Sequence, residues 1–336
     1  AREQTYVHTF YKKEATAQQP ATSKEEGNLV AFSGPDFKAT FDKQSGLLTS
    51  YLYKKHEYIL NGQGPRPFFW RAPTDNDYGA NLPVRLKAWK EASYQEPKAE
   101  SFQVTPGSNA TTIKVTYRFP QTDARWDITY KIYASGVIKV DNRFVAEGDQ
   151  APMIPRVGLR MQLPESFTDL TYYGRGPKEN YRDRRTSQFI GEYAIPVKDM
   201  YEPYVRPQEN NHRTDIYWCA LTDKTQRGLL LIADRTFELN TSNYPLESMD
   251  SGDTIDNSAP RTEKTHHRHL TDPLPEKMVD LFIDYRMMGV GGDDSWGATA
   301  HEPYLIRPGK ENAIEYGFSL VPFDKKEDYK YLIRQY

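Results

Sequence analysis

Apolar and polar residues alternate with a period of two along much of the chain, and short polar turns separate the alternating runs. The runs FKATF (37–41) and LLTSYLY (47–53) flank the turn DKQSG, and WDITYKIY (126–133) and VIKVDNRFVA (137–146) flank ASG. A period of two places every second side chain on one face of a strand, and a short glycine-containing turn between two such runs is typical of a hairpin. The pattern therefore predicts antiparallel β-hairpins.

Six more runs of the same kind predict further strands, and helical signals are scarce. The runs are TTIKVTYRF (111–119), VGLRMQLP (157–164), DLTYYG (169–174), RGLLLIAD (227–234), VDLFIDYRM (279–287) and AIEYGFSLVPF (313–323). No apolar stripe with the 3.6-residue period continues for three turns, and KAWKEA (87–92) is the best candidate for a short helix. We therefore predict an all-β fold, a large antiparallel sandwich.

The sandwich is predicted to extend over residues 28–336. Residues 12–27, KKEATAQQPATSKEEG, are polar and poor in β-branched apolar residues, which is typical of a linker. Residues 1–11 have the pattern of a strand that starts abruptly, without the basic and apolar regions of a signal peptide. We expect the chain to be a piece of a longer one.

Charge and composition narrow the function classes. The chain has 336 residues, with 44 Lys and Arg against 46 Asp and Glu, a formal net charge of −2. This balance favours neither nucleic acid nor an anionic membrane as a partner, and no apolar stretch approaches the length of a membrane span. The single cysteine excludes an internal disulfide framework. The 24 tyrosines suit β structure and a surface that binds polar ligands with apolar faces.

The segment RAPTDNDYG (71–79) is the first of four loops with concentrated polar chemistry. Its Pro73 and D-N-D run predict a turn. Asp75 and Asp77, with Asn76, could chelate a hard cation, although the later acidic ligands of a calcium loop are missing. The alternative is an Asx-rich turn buried against Arg71.

The second loop, YYGRGPKENYRDRR (172–185), leaves a strand at G-R-G-P and interleaves arginines with acidic residues. It could bind sugar hydroxyls or a partner chain. Such interleaving more often produces a structural ion-pair network, which is the interpretation that we favour.

The third loop, YEPYVRPQENNHRTD (201–215), is punctuated by proline and carries Glu209, Asn210 and His212. Glu209 and His212 could act as base and acid in proton transfer at a sugar. In the fourth, THHRHL (265–270), two histidines share a face of a strand, but no third ligand at zinc spacing follows, so a structural role is favoured.

The run MGVGGDDSWGATA (288–300) has the most unusual composition in the chain. It does not fit a dinucleotide fingerprint, because no helical pattern follows its glycines and its acidic pair would repel phosphate. Asp293 and Asp294 are adjacent, so in an extended chain they point to different sides and fit a glycosidase carboxylate pair poorly. We expect the two aspartates to hold a sharp turn by hydrogen bonds and Trp296 to offer its face to a sugar ring.

The motifs RAPTDND, GRGPKENYRDR, PQEN, HRHL and GVGGDDSWG, in this order, resemble the C-terminal domain of the large bacterial β-galactosidases of glycoside hydrolase family 2. The resemblance covers about residues 28–323. It implies an antiparallel β-supersandwich similar in fold to galactose mutarotases, and it implies that residues 1–11 are the last strand of a preceding immunoglobulin-like domain. In that family, two glutamates on a TIM barrel hydrolyse terminal β-galactosides with retention, and the C-terminal domain closes one side of the pocket.

The resemblance also implies roles for individual residues. Trp296 would stack on the aglycone sugar, and the loop from Gly79 onward would lie near the pocket. The predicted substrate-binding residues are Asn76, Asp77, Gly79 and Trp296, and the predicted supporting residues are Arg71, Asp75, Glu209, Asn210, His212, Asp293 and Asp294. No catalytic residue, metal or cofactor is expected in this chain, since the family's magnesium and sodium would lie in other domains.

Three functions from different classes follow from the sequence. The first is an accessory domain of a β-galactosidase, with the TIM-barrel and immunoglobulin-like domains of the parent chain, a β-galactoside and a homo-oligomeric parent as partners. The second is a self-standing mutarotase-like sugar epimerase that uses Glu209 and His212. The third is an independent carbohydrate-binding module. The compartment, cytoplasmic or periplasmic, stays open.

Overall fold

The computed structural model describes residues 19–146, 153–252, 269–294, 297–307, 309, 311, 313–325 and 327–335. Two sheets account for most of them, and all of their strand pairs are antiparallel. The predicted all-β, antiparallel class is confirmed.

Within the described residues, the smaller sheet has five strands in chain order. They are β1 (Thr22–Glu26), β2 (Leu29–Ser33), β3 (Phe37–Asp42), β4 (Leu48–Tyr53) and β5 (His56–Glu57). The linker predicted at residues 12–27 is wrong over residues 22–26, because these form β1 and pair with β2. All five residues of β1 are exposed, so this edge strand carries no apolar alternation that would reveal it in the sequence.

The larger sheet has twelve strands in the described part of the chain. They are β6 (Arg66–Phe68), β7 (Ala99–Thr105), β8 (Thr111–Phe119), β9 (Ala124–Ile132), β10 (Ile138–Ala146), β11 (Arg156–Pro164), β12 (Asp169–Gly176), β13 (Phe189–Pro196), β14 (Arg213–Thr222), β15 (Gly228–Ser242), β16 (Met278–Met287) and β17 (Ile314–Phe323). Nine of them follow the order β13-β12-β14-β15-β17-β10-β9-β8-β7. β11 lies between β6 and β16, and β16 also pairs with β15.

Helices are short, as the sequence predicts. They are α1 (Asp75–Gly79), α2 (Leu82–Arg85), α3 (Lys87–Tyr94) and α4 (Tyr329–Leu332), with 3-10 turns at Pro120–Thr122, Val197–Asp199, Leu246–Met249 and Glu302–Tyr304. The predicted KAWKEA helix is confirmed as α3. No helix in the described ranges is long and apolar enough to cross a membrane.

The core is built where the alternating pattern is cleanest. Every second residue of β9 is buried, and its Trp126 lies 5.5 Å, centroid to centroid, from the ring of Phe69. Trp89 of α3 and Phe119 of β8 pack on the same ring at 5.1 and 4.9 Å. Aromatic side chains bury large areas and favour tilted contacts at these separations, so this cluster holds α3 against the sheet.

The strand register brings the ends of β6 and β16 and the second half of β15 to one place. Arg156, at the start of β11, pairs with Met287 at the end of β16, and Phe68 at the end of β6 pairs with Gly158 of β11. The segments that follow β6 and β16 therefore leave the sheet side by side. β15 is longer than the predicted run 227–234: its first half pairs with β17, and its second half, Glu238–Ser242, pairs with β16 and reaches the same place.

Candidate functional site

The D-N-D run forms a one-turn helix instead of the predicted turn. Thr74 caps α1: its Oγ1 accepts from the amide of Asp77 at 3.2 Å, and Asp77 Oδ2 accepts from the amide of Thr74 at 3.0 Å. This reciprocal pair is a capping box, which satisfies donors that a helix start leaves free. The sequence carries it as T-x-x-D, with Asp in place of the usual Glu or Gln.

Asp77 also forms the buried ion pair predicted with Arg71. Arg71 Nε and Nη2 donate to the two oxygens of Asp77 at 3.1 and 2.8 Å, and both side chains are buried. Asp75 is exposed and lies 3.2 Å from Arg206. The two carboxylates therefore have different partners, and the predicted burial against Arg71 is confirmed for Asp77 but not for the exposed Asp75.

Arg71 ties α1 to the glycine run, which we define as residues 289–294. Its Nη1 donates to the carbonyl of Met288 at 2.7 Å, and its Nη2 donates to that of Gly289 at 3.1 Å. From the other side, the Asp183 carboxylate accepts from the amides of Val290 and Gly291 at 3.2 and 2.8 Å. The start of the run is thus held between a guanidinium and a carboxylate.

The end of the run is held directly by α1. Asn76 Nδ2 donates to the carbonyls of Asp294 at 2.7 Å and Ala298 at 3.1 Å. Gly297 has φ +124°, and a Cβ there would lie 2.4 Å from the carbonyl carbon of Gly79, so only glycine fits this approach. Asn76 and Gly79 therefore lie beside this segment, and their substrate-binding role stays a prediction.

Asp293 and Asp294 have different partners. Asp294 Oδ1 accepts from the amide of Ala298 at 3.1 Å, so the prediction that it holds the turn is confirmed. Asp293 instead lies 2.8 Å from His301 Nε2, and both side chains are exposed. Ser295 and Trp296 lie outside the described residues, so the predicted role of Trp296 stays a prediction.

Glu209 connects the third loop to the same place. Its Oε2 accepts from the amide of Ala72 at 3.3 Å, and its Oε1 accepts from Asn240 Nδ2 at 2.8 Å and Arg156 Nη2 at 3.2 Å. Arg156 Nη2 also donates to Asn240 Oδ1 at 2.9 Å. The side-chain amide of Asn240 on β15 and the guanidinium of Arg156 on β11 thus orient Glu209 toward Ala72 of the segment 71–79.

His212 contacts Asn240, the residue that also binds Glu209. Its Nδ1 is 2.7 Å from Asn240 Oδ1 and its Nε2 is 3.0 Å from Glu238 Oε2. Both ring nitrogens thus have a side-chain oxygen within hydrogen-bond distance. Glu238 also accepts from Arg182 and from the amide of Met287. We name this set the polar frame: Arg71, Asp77, Arg156, Glu209, His212, Glu238, Asn240 and Asp284.

The pKa values of two carboxylates in the polar frame are shifted in opposite directions. Burial alone would raise the pKa of Glu238, but the hydrogen bond to His212 and the charges of His212 and Arg182 lower it. Burial raises the pKa of Asp284 to about 7, against the opposing charges of Arg156 and His212. Both Asp284 oxygens lack a hydrogen-bond partner within the described residues, and Arg156 Nε lies 3.3 Å away.

The ion-pair network predicted for the second loop is present, and it extends to Asp215 of the third loop. Arg175 and Arg185 both bind Asp215, at 2.7 and 2.8 Å, and Arg184 binds Glu179 at 2.8 Å. Asn210, a predicted supporting residue, is buried and accepts from the amide of Glu202 at 3.4 Å. Most of the fourth loop, residues 265–268, lies outside the described residues.

The family is decided by a sequence profile described as the β-galactosidase small chain, which matches residues 33–320. The chain belongs to the β-galactosidase small-chain family. The match runs from the last residue of β2 into β17, and it includes residues 71–79, the third loop and the glycine run.

Relatives of the small-chain family are long enzymes. The chain is 33% identical to the β-galactosidase of Priestia megaterium over 291 residues, which is 86% of the chain and 26% of the relative. It is 32% identical to the β-galactosidase of Lactobacillus delbrueckii subsp. bulgaricus over 308 residues, 89% of the chain and 28% of the relative. The chain thus spans little more than a quarter of the length of these relatives.

Among solved structures, the chain is similar to the galactose 1-epimerase of Lactobacillus acidophilus, with a TM-score of 0.49 and 6% identity over 90% of this chain and 97% of the other.

The structure argues against the use of Glu209 and His212 as an epimerase base and acid. They do not contact each other directly within the polar frame: Asn240 lies between them. Glu209 is 3% exposed and His212 is 0% exposed, so neither side chain reaches solvent where a sugar could bind. A general acid or base must come within hydrogen-bond reach of its substrate, and these groups are instead occupied by other side chains.

The sequence did not predict a role for four members of the polar frame: Arg156, Glu238, Asn240 and Asp284. Each lies inside or at the start of a strand whose neighbours are apolar, as in LFIDYRM around Asp284. A polar residue at a core-facing position of an alternating run is the signal that could have revealed them, because buried charges almost always have partners.

Proposed function

We propose that the chain is the C-terminal accessory part of a retaining β-galactosidase that hydrolyses terminal β-galactosides. It closes one side of the active-site pocket and presents Trp296 to the aglycone sugar. The two catalytic glutamates lie on the TIM barrel of the parent enzyme, so the chain alone is inactive. The family membership and the names of the relatives support the parent activity.

The observation that carries the proposal is the double attachment of the segment around Trp296. On one side of this residue, Asp294 is bound by Asn76, and on the other, Gly297 packs on Gly79. The buried ion pair between Arg71 and Asp77 holds α1 itself in place. A ring that is to stack on a sugar must be held in place by its supporting backbone, because a stacking site loosened by about an ångström loses affinity.

The acidic side chains near this segment support the absence of hydrolysis by the chain alone. Asp77 is bound on both oxygens by Arg71, and Glu209 is buried among Arg156, Asn240 and Ala72. Asp293 is exposed beside His301. A retaining glycosidase needs two free carboxyl groups facing one bond at about 5–5.5 Å. Within the described ranges, no cluster of three or more His, Cys, Asp and Glu fits a metal ion.

The decisive experiment replaces Trp296→Ala in the full-length parent enzyme. Loss of a stacking face should weaken glucose binding as acceptor about five- to tenfold, and change the galactosylation rate with an activated aryl galactoside less than about twofold. Trp296→Phe should restore most of the acceptor affinity, and Phe189→Ala, which removes a 72% exposed ring on β13, is the matched control. A loss confined to galactosylation would overturn the stacking role.

The inactivity of the chain is tested separately. The purified 336-residue chain should not hydrolyse a chromogenic β-galactoside above the uncatalysed rate. It should leave the mutarotation rate of freshly dissolved galactose unchanged, and calorimetry should detect no galactoside binding tighter than about millimolar, because one wall of a pocket buries too little ligand. Hydrolysis, faster mutarotation or tight binding would favour one of the alternative functions.

A further inference from the structure

A groove of about 990 Å³ crosses the larger sheet, with side chains contributed by β7, β8, β9, β10, β17, β15 and β16. We call it the outer-face groove. Six neighbouring strands, from β7 to β15 in the sheet order, span about 24 Å at a spacing of about 4.8 Å per strand. The groove is therefore long enough for an extended ligand of several units. Nothing in the proposed function of Trp296 depends on it.

More cationic than acidic side chains line the groove. Its lining contains six cationic side chains and four acidic ones; the cations are Lys114, Arg125, Arg143, Arg182, Arg235 and Arg286, and the acids are Asp127, Asp141, Asp234 and Glu315. Every one of the four acids has a cationic partner. The pairs are Asp127 with Arg125, Asp141 with Lys131 and Lys139, Asp234 with Lys139, and Glu315 with Arg143.

Three of the six cations are left without an acidic partner. Within the described residues, Lys114, Arg235 and Arg286 form no ion pair, whereas Arg182 binds Glu238 of the polar frame. Arg286 stacks on the ring of Tyr285 at 5.3 Å, and its Nε is buried without a hydrogen-bond partner. A guanidinium that lines a groove without an acidic partner favours a bound acceptor that carries negative charge.

The remaining lining suits a hydroxyl-rich ligand better than a peptide. Ser101, Gln103, Thr116, Thr129 and Thr236 supply hydroxyl and amide groups, and the strands of the floor already use their backbone groups in the sheet. A peptide that adds to a sheet needs an open strand edge, and a helix needs an apolar groove. The floor of this groove offers neither.

We propose that the outer-face groove binds an acidic oligosaccharide, one whose sugars carry carboxylate groups. Lys114, Arg235 and Arg286 bind the carboxylates, and the hydroxyl and amide side chains bind the sugar hydroxyls. The four paired acids disfavour non-selective binding of every anion. An ordinary solvated sheet face is the alternative, since antiparallel sheets often expose one polar face.

The test measures binding by calorimetry in the full-length parent enzyme, with hexagalacturonate as the probe. Fully methyl-esterified hexagalacturonate is the neutral match, and hexaglutamate is the peptide match of equal charge. Hexagalacturonate should bind, its affinity should fall as salt is raised, and both matched compounds should bind at least about tenfold more weakly.

The triple variant Lys114→Ala, Arg235→Ala, Arg286→Ala should weaken hexagalacturonate binding at least about tenfold. The matched triple variant Lys43→Ala, Lys178→Ala, Lys330→Ala removes the same charge from surface pairs with Glu25, Glu202 and Glu192 and should change it less than about threefold. Both variants should keep the aryl-galactosidase activity and melting temperature of the parent.

Each other outcome overturns the proposal in a specific way. No binding by hexagalacturonate leaves a solvated sheet face, and equal binding of the methyl ester removes the role of the carboxylates. Equal binding of hexaglutamate assigns the groove to an acidic peptide. Equal losses in the two triple variants show an effect of net charge alone. None of these results bears on Trp296, whose test uses a different substrate and a different readout.

Discussion

Two ion pairs of nearly equal length show how differently the molecule treats its charges. In the polar frame, Arg156 lies 3.2 Å from Glu209, and their side chains are 0% and 1% exposed. On the outer face, Arg143 lies 3.3 Å from Glu315, and their side chains are 50% and 67% exposed. The separations match, so burial and the number of further partners distinguish the two pairs.

The buried charges position one another through their contacts, whereas the exposed charges are solvated by water. A buried charge that loses its partner cannot recover water, so every member of the polar frame depends on the others. An exposed charge exchanges its partner for solvent at little cost, which leaves the outer face free to bind a ligand. Arg182 belongs to both regions: it lines the groove, and it binds Glu238 of the frame.

Breaking each pair in the same way gives the largest expected contrast. Arg156→Met should lower the free energy of unfolding of the 336-residue chain by about 3–5 kcal/mol, because Glu209 and Asp284 stay buried without their cation. Arg143→Met should lower it by less than about 1 kcal/mol. Urea denaturation followed by tryptophan fluorescence measures both. Similar losses in the two variants would show that burial does not set the difference.

The pH dependence of stability gives the next largest effect, and Asp284 sets it. Its pKa is raised to about 7 by burial, opposed by Arg156 and His212 and assisted by Glu238 and Glu209. In the unfolded chain the carboxyl has an ordinary pKa of about 3.9. Between these values the folded state holds a proton that the unfolded state has lost, so stability falls as pH rises from about 4 to about 7.

The variant Asp284→Asn removes this titration. The difference in unfolding free energy between wild type and Asp284→Asn should shift by about 2–3 kcal/mol between pH 5 and pH 8, with the wild type relatively weaker at pH 8. Denaturation curves at four pH values measure it. Asp141→Asn, on the exposed outer face, is the control and should give a flat difference. A flat difference for Asp284→Asn as well would mean that this carboxyl titrates normally.

The sequence predicted the two regions unequally well. The strands of the outer face, such as TTIKVTYRF and WDITYKIY, carry strict alternation, and they appear within a few residues of their predicted bounds. Alternation reports one apolar face and one polar face, which is how these strands are placed. Where both faces of a strand are polar, as in β1, or where the pattern breaks, as in the second half of β15, the prediction failed.

The site could be predicted only in part, for a related reason. Motifs located Arg71, Asn76, Gly79 and Asp294, which lie within loops of unusual composition, and the structure brings them together. Asn240 and Arg156 come from strands far away in sequence, and their side chains meet Glu209 only because β11, β15 and β16 are neighbours in the sheet. Local composition does not contain that information, since the strand order is set by the whole chain.

The smallest expected effect lies at the surface end of the frame, where Asn76 holds the segment around Trp296. Asn76→Ala removes two hydrogen bonds, to the carbonyls of Asp294 and Ala298, and should lower global stability by only about 1 kcal/mol, because both carbonyls regain water. Local opening should become about five- to tenfold more frequent, which hydrogen exchange at the amide of Ala298 detects. Asp293→Ala, which removes only an exposed contact with His301, should leave that exchange unchanged. Equal exchange in wild type and Asn76→Ala would mean that Arg71 and the close contact of Gly79 with Gly297 suffice to hold the segment.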